Sequence, residues 1–161
     1  LLRTLEKQAA SNDYLIYPSQ TFKKPNNPLP YDYKVETMKK MFPWAKIETA
    51  ACCNTIIKVA QDMMMKDYSD IVMVVGSDRV ADFDKLLNKQ NTIDYTFNTI
   101  KVVSAGERDP DADGASGMSA SKMREAVKNG KTRNFMEGIP NTFSMQQKLE
   151  LMEEVRKGMG L

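Results

Sequence analysis

Two serines, an arginine and a lysine stand at helical spacing near the start of a predicted helix late in the chain. Ser119 suits an N-cap position, so the first N–H groups of this helix, which lack an intrahelical acceptor, are predicted to bind an anion. Ser121 and Arg124 are three residues apart and share a helix face, and Lys128 follows one turn later. A hydroxyl, a guanidinium and an ammonium group can therefore converge on one phosphate chain. The alternative is a capped surface helix with solvated basic side chains.

A second candidate site lies where a buried strand is predicted to end. Residues 70–75 form a β-branched, apolar run that is typical of a parallel strand covered on both faces, and Gly76 follows it. Open α/β sheets bind ligands at such strand ends. Gly76 lets the backbone approach a ligand closely, and Asp78 is placed to cap a helix or to bind a hydroxyl group or a metal ion. The alternative is that Ser77 or Asp78 is only an N-cap.

The periodicity of the rest of the chain predicts the elements that position these two sites. Besides the run at 70–76, strands are predicted at 14–17 and 100–103, and helices at 33–42, 54–66, 80–87, 119–128, 132–138 and 143–157. Strands that alternate with helices favour βαβ units and a parallel sheet. The predicted fold class is α/β, a parallel sheet with helices on both faces, in a single domain over 1–161. Residues 19–30, with three prolines, are predicted to be a mobile surface loop near a ligand site.

Composition sets bounds on the class of protein. The 161 residues are 42% hydrophobic, which is enough for one sizeable core. The 23 basic and 21 acidic residues nearly cancel, so bulk charge gives no argument for nucleic acid or a membrane surface. Without an apolar run of about twenty residues or a signal peptide, we expect a soluble, cytoplasmic protein. Cys52 and Cys53 are adjacent, so we interpret them as a reduced structural pair and predict no metal ligands.

Two segments of this sequence resemble a known family. Val75-Gly76-Ser77-Asp78-Arg79 and Gly117-Met118-Ser119-Ala120-Ser121-Lys122-Met123-Arg124 are similar to segments of the nucleotidyltransferase superfamily, in its cytidylyltransferase-like group. The second segment resembles the family's I-S-[ST]-x-x-R signature, with Met118 in the place of Ile and Ala120 as a departure. Phage-borne members look most similar, through residues 17–21, 28–34 and 104–108.

The resemblance implies a Rossmann-like fold and an adenylyl- or cytidylyltransferase. Such an enzyme transfers a nucleotidyl group from ATP or CTP to a phosphate-bearing acceptor, uses Mg²⁺ and releases pyrophosphate. Ser119, Ser121 and Arg124 would hold the β- and γ-phosphates. The resemblance places the nucleotide at Gly76, Ser77, Asp78, Gly117, Met118, Ser119, Ser121 and Arg124, and it makes Arg124, Ser121 and Lys34 the candidate catalytic residues.

One family motif has no counterpart in this sequence. The family carries H-x-G-H between its first strand and first helix, and the 161 residues contain no histidine. Because residues 1–10 already have helical spacing, we expect the first strand and this motif to precede Leu1. The alternative is a catalytically silent nucleotide-binding or assembly module, such as a phage particle component, which would place it in the virion or in a homo-oligomer. A flavodoxin-like domain shares the element order but gives no reason for Ser121 and Arg124 to be aligned.

An acidic segment after the last predicted strand resembles the opening of a calcium loop. Asp109, Asp111 and Asp113 follow the D-x-D-x-D-G pattern, but Ala120 occupies the twelfth position, where such loops require a bidentate Glu. We therefore predict a solvated acidic loop.

Overall fold

The structure is a computed structural model that describes residues 5, 7, 9, 10, 12–106 and 118–161. Its elements are listed here in chain order. They are α1 (Tyr31–Met41), α2 (Ile56–Met65), β1 (Asp70–Val75), a 3-10 turn (Ser77–Arg79), α3 (Val80–Gln90), β2 (Thr99–Ser104), α4 (Ala120–Lys128), α5 (Thr132–Glu137) and α6 (Met145–Met159). The predicted helices between residues 31 and 159 and the strands around residues 70–76 and 100–103 are therefore confirmed, with boundaries that differ by a few residues. Gly117 and the acidic segment 109–114 lie outside the described residues.

The described residues form two compact units. The first takes its residues from Leu1–Tyr17 and Glu48–Glu107, and the second from Pro18–Ile47 and Arg108–Leu161. The single domain over 1–161 stays a prediction.

The first unit contains a parallel sheet of two strands. Strands β1 and β2 pair in register from Asp70 with Thr99 to Val75 with Ser104. The sheet buries Ile71 and Ile100 against side chains of α2, α3 and the segment before β2, and the whole cluster consists of Ala60, Ile71, Leu87, Tyr95, Phe97 and Ile100. A mixed helix and strand architecture with parallel strands is thus confirmed. The sequence of β1 predicts a strand that is covered on both faces. Val72 is 45% exposed, so β1 is not covered on both faces at that position.

The predicted strand at 14–17 does not form. Ile16 makes an isolated bridge instead, in which its carbonyl accepts a hydrogen bond of 2.9 Å from the Glu48 N–H. Pro18 has no N–H to donate to a ladder, so the apolar run cannot extend beyond Tyr17 as a paired strand. The apolar run therefore marks a half-buried segment here, but not a strand.

The second unit is helical in its described residues. Helices α4, α5 and α6 pack around a core of Ala126, Val127, Phe135, Ile139, Phe143, Leu151 and Val155. Ser144 and Gln147 form a capping box at the start of α6, and Gly160 ends that helix with a φ of 82°. Near this end, Gly158 lies so close to the backbone carbonyl of Pro28 that a Cβ atom would collide with it.

The helices can also be compared with the length of a membrane span. Among the residues that the structure describes, none of the helices has the length and apolar character needed to cross a membrane.

Candidate functional site

Helix α4 begins with a side-chain cap. Ser119 has an extended backbone, with φ −126° and ψ 160°, and its Oγ accepts a hydrogen bond of 3.1 Å from the Lys122 N–H. Its carbonyl accepts the Met123 N–H at 2.8 Å, which is the first intrahelical bond. Ser119 is therefore the N-cap of α4. The N–H groups of the first turn point outward at this end because they have no intrahelical acceptors. They give the start of α4 a partial positive charge.

Ser121 and Arg124 lie on one face of α4 and contact each other. The Arg124 Nη2 atom donates a hydrogen bond of 3.2 Å to the Ser121 Oγ. A guanidinium group has five N–H donors, so this bond orients the group while leaving most of its donor capacity for a ligand. Lys128 is exposed one turn further along α4.

Arg124 also lines a cavity of about 320 Å³ inside the second unit. The walls come from the loop before α1, from α1 itself and from α4, α5 and α6. The lining residues are Asn26, Asn27, Pro28, Leu29, Lys34, Thr37, Met38, Met41, Ala120, Met123, Arg124, Phe135, Ile139, Leu151 and Val155. Most of these side chains are apolar, none of these described residues is acidic, and two are cationic. The cavity therefore suits a ligand that has both an apolar part and a negative charge.

Lys34 is the second cationic residue of this cavity, and it also anchors the preceding loop. Its Nζ donates hydrogen bonds of 2.7 Å to the Ser19 carbonyl and 2.9 Å to the Thr21 carbonyl. Burial lowers the pKa of the Lys34 ammonium. Further along the loop, Lys23 and Asn27 exchange backbone hydrogen bonds of 3.1 and 2.7 Å. The loop is thus folded back toward the cavity by bonds that its proline-rich sequence does not predict.

The predicted nucleotide site at Gly76 has a different geometry. Gly76, Ser77 and Asp78 belong to the first unit, whereas Lys34, Ser119, Ser121 and Arg124 belong to the second. A 3-10 turn over Ser77–Arg79 separates β1 from α3, and its first bond runs from the Arg79 N–H to the Gly76 carbonyl at 3.0 Å. No side chain of the described residues caps this turn or α3. Asp78 has an 81% exposed side chain and approaches the Arg79 Nε at 3.9 Å.

Met118 has a packing role in this unit. A Cβ atom placed on Gly138 would lie 2.7 Å from the Met118 Cγ, and it would also collide with the Met123 sulfur. Met118 therefore packs against the end of α5, beside Met123. This packing of Met118 supports the start of α4. The predicted contact of Met118 with a nucleotide stays a prediction.

The sequence missed the apolar side chains that α1, α5 and α6 give to the cavity wall. Met38, Phe135 and Leu151 line the cavity although they lie in none of the segments that resemble the family. The sequence does carry a signal on α1, since Met38 and Met41 are three residues apart and share one apolar helix face. A stripe of this kind predicts burial, but it does not distinguish a filled core from a cavity.

The described lining of the cavity does not provide a magnesium site. Mg²⁺ prefers carboxylate, phosphate and water oxygens, whereas the lining has no carboxylate and contains two cations. At this described lining, Mg²⁺ would have to be held by the phosphates of a bound ligand. No family model, curated protein or solved structure matches this chain.

Proposed function

We propose that the chain is a nucleotidyltransferase with a Rossmann-like fold and that its second unit binds the phosphates of ATP or CTP. One observation supports this proposal most strongly. Lys34 and Arg124 are ninety positions apart in the sequence, yet both line the same cavity beside the capped start of α4. The family resemblance independently makes both residues candidates for the site.

Each group near the start of α4 has a definite task in this proposal. The N–H groups of Ala120 and Ser121 and the Ser121 hydroxyl donate hydrogen bonds to the β- and γ-phosphate oxygens. Arg124 forms charge-assisted bonds to the same oxygens, oriented by its contact with Ser121. The apolar wall of the cavity excludes water from the phosphate chain and holds the apolar part of the nucleotide or of the acceptor.

The transfer itself needs no covalent enzyme intermediate. A phosphate oxygen of the acceptor attacks the α-phosphorus of the triphosphate, and the bond between that phosphorus and the bridging oxygen to the β-phosphate breaks. Pyrophosphate leaves with the electron pair of this bond. Negative charge increases on the β-phosphate as the bond breaks, so cations already in position there lower the barrier.

The composition of the chain favours a second candidate function. The family's H-x-G-H histidines have no counterpart among the 161 residues. A catalytically silent nucleotide-binding or assembly module with the same fold would use the same phosphate contacts. It would bind ATP or CTP without releasing pyrophosphate.

A combined assay separates the two candidates. Calorimetry with ATP and with CTP measures binding, and pyrophosphate release with a panel of phosphorylated acceptors measures turnover. The first candidate predicts both binding and release, with release lowered in Ser121→Ala. Binding without release on any acceptor favours the silent module, and no binding of either nucleotide contradicts both candidates.

Replacing Lys34 tests its assignment to the site. We expect Lys34→Met to weaken triphosphate binding by about 0.5 to 1.5 kcal/mol, because a donor is lost while the aliphatic stem keeps its packing. Lys39→Met is the matched control, since Lys39 is an exposed lysine on the same helix. Equal affinities of the two variants, measured by calorimetry, would remove Lys34 from the site.

A further inference from the structure

Two thiols and a carboxylate meet in the first unit. Cys52 and Cys53 are free cysteines whose sulfur atoms are 3.6 Å apart. A carboxylate oxygen of Asp62 lies within 4.8 Å of both sulfurs. Cys52 is exposed, Cys53 is buried, and the Asp62 side chain is 14% exposed. The group is therefore accessible to a small solute from the side of Cys52.

The spacing of the two sulfurs matches what a tetrahedral metal ion requires. With a zinc to sulfur distance of about 2.3 Å and a tetrahedral angle, two thiolates on one ion are about 3.8 Å apart. The observed 3.6 Å is close to this value and much longer than a disulfide bond. The two sulfurs therefore need almost no movement to bind one ion together, and the Asp62 oxygen, which lies within 4.8 Å of both, needs to move inward by at most about 1.3 Å.

Neighbouring side chains hold the Asp62 carboxylate in place. Tyr17 donates a hydrogen bond of 2.6 Å to Asp62 Oδ2, and Lys66 Nζ lies 2.5 Å from the same oxygen. Burial opposes ionisation of Asp62, but the hydrogen bonds from Lys66 and Tyr17 outweigh it and lower the pKa of the carboxyl group. Such outer contacts orient the carboxylates that bind metals, and both of these contacts are made to Oδ2 of Asp62.

The backbone fixes the two cysteines in a tight turn before α2. The Cys53 N–H donates to the Ala50 carbonyl at 3.1 Å, and the Asn54 N–H donates to the Cys52 carbonyl at 2.9 Å. Thr55 then caps α2, which presents Asp62 to the turn about two helical turns later. The fold thus brings Asp62 close to the adjacent residues Cys52 and Cys53, which their spacing in the sequence does not predict.

We propose that Cys52, Cys53 and Asp62 form a binding site for one soft or borderline divalent cation of the Zn²⁺ type. The ligands are the two thiolate sulfurs and one carboxylate oxygen, and water occupies the fourth position on the exposed side. Two thiolates, the Asp62 carboxylate and the Glu48 carboxylate carry four negative charges, and the cation and the Lys66 ammonium carry three positive charges, so the loaded cluster keeps one net negative charge. This proposal does not depend on nucleotide binding, because all its residues lie in the first unit.

The surroundings of the buried cysteine oppose loss of its proton. Burial, followed by the hydrogen bond with Cys52 and the charge of Asp62, raises the pKa of the Cys53 thiol to about 12. A cation must therefore displace protons from the sulfurs when it binds, as thiolate sites generally require.

Co²⁺ and Zn²⁺ are the probes for the test, used with the full chain under reducing conditions. We expect Co²⁺ to give a sulfur-to-metal charge-transfer band at one ion per chain, together with the strong visible bands of a tetrahedral site. Zn²⁺ should bleach these bands by competition. Cys52→Ser should weaken binding at least about tenfold, and Asp62→Asn should do the same, because each removes a ligand.

Glu48→Gln is the matched control for a change of charge beside the site. Glu48 approaches Lys66 at 3.2 Å but offers no ligand atom to the cluster, so this variant should keep its affinity within about threefold. Cys52 is exposed, and Cys52→Ser should therefore keep the wild-type circular dichroism spectrum, so the test does not depend on a variant of the buried Cys53. The proposal is overturned by a missing charge-transfer band, by one ion per two chains, or by unchanged affinity in Cys52→Ser.

Discussion

In the first unit a thiol pair lies beside the Asp62 carboxylate, whereas in the second unit Lys34 and Arg124 line an apolar cavity. The first arrangement has the donor atoms of a cation site and the second has the cations of an anion site. The starts of α3 and α4 also differ, in how they are capped. Ser119 caps α4 with its side chain, but a 3-10 turn without a side-chain cap leads into α3. Similar strand-end and serine patterns in the sequence therefore give different local geometry, and the start of α4 has a cavity beside it.

The largest effect should come from the outer contact of Asp62 in the first unit. We expect Tyr17→Phe to lower the free energy of unfolding by about 1.5 to 3 kcal/mol, because a hydrogen bond to a half-buried charged group is lost. Hydrogen exchange should show the greatest loss of protection in α2 and β1. Tyr68→Phe is the control, since it removes an exposed bond to Asp13 and should cost within about 0.5 kcal/mol. Equal losses in both variants would mean that the Asp62 cluster is no more stabilising than a surface contact.

The next effect tests the wall of the cavity in the second unit. A Cβ atom at position 158 would collide with the Pro28 backbone. We therefore expect Gly158→Ala to lower the free energy of unfolding by about 1 to 2 kcal/mol, because the overpacking penalty exceeds the gain in helix propensity. It should also weaken triphosphate binding, because Pro28 lines the cavity. Fluorescence of Trp44, the single tryptophan of the chain, follows unfolding of this unit. Glu153→Ala on the same helix is the control, and a stable Gly158→Ala variant with normal binding would show that this contact does not shape the cavity.

The smallest effect separates the two helix starts. Ser119→Ala should cost about 1 kcal/mol because the N-cap bond to the Lys122 N–H is lost. Ser77→Ala should change stability by less than about 0.5 kcal/mol, since no side-chain cap is formed there. Chemical denaturation measures both values. If the two costs were the same, the structural difference between the helix starts would have no energetic consequence.

The sequence predicts the elements well where local signals agree. The run at 70–75 becomes β1, and the serine and glycine positions around 119–130 fix both ends of α4, because cap residues and periodicity act within a few residues. The predicted strand at 14–17 was wrong because an apolar run indicates only that side chains pack away from water, and these four residues are half-buried. Whether it pairs depends on a neighbouring strand, which is a long-range property.

The two sites differ in how far the sequence could predict them. Ser121 and Arg124 were found because they share one helix face, and that contact is local. Lys34 lines the cavity beside Arg124, and Asp62 lies near Cys52, although the members of each pair are separated in the sequence. Residue spacing therefore could not predict either contact. The Cys52 and Cys53 pair was interpreted as structural for the same reason, since its third partner appears only after folding.

The most direct test of the phosphate site is the affinity of Arg124→Ala for ATP and CTP, measured by calorimetry beside Arg133→Ala. Arg133 is an exposed arginine of the same unit whose side chain pairs with Glu137, so it controls for the loss of one positive charge. We predict that Arg124→Ala weakens binding of the preferred nucleotide by about 1.5 to 3 kcal/mol, the scale of a charged hydrogen bond, with the fold intact. Arg133→Ala should bind as the wild type does. An unchanged dissociation constant in Arg124→Ala would contradict the assignment of this cavity to a nucleoside triphosphate.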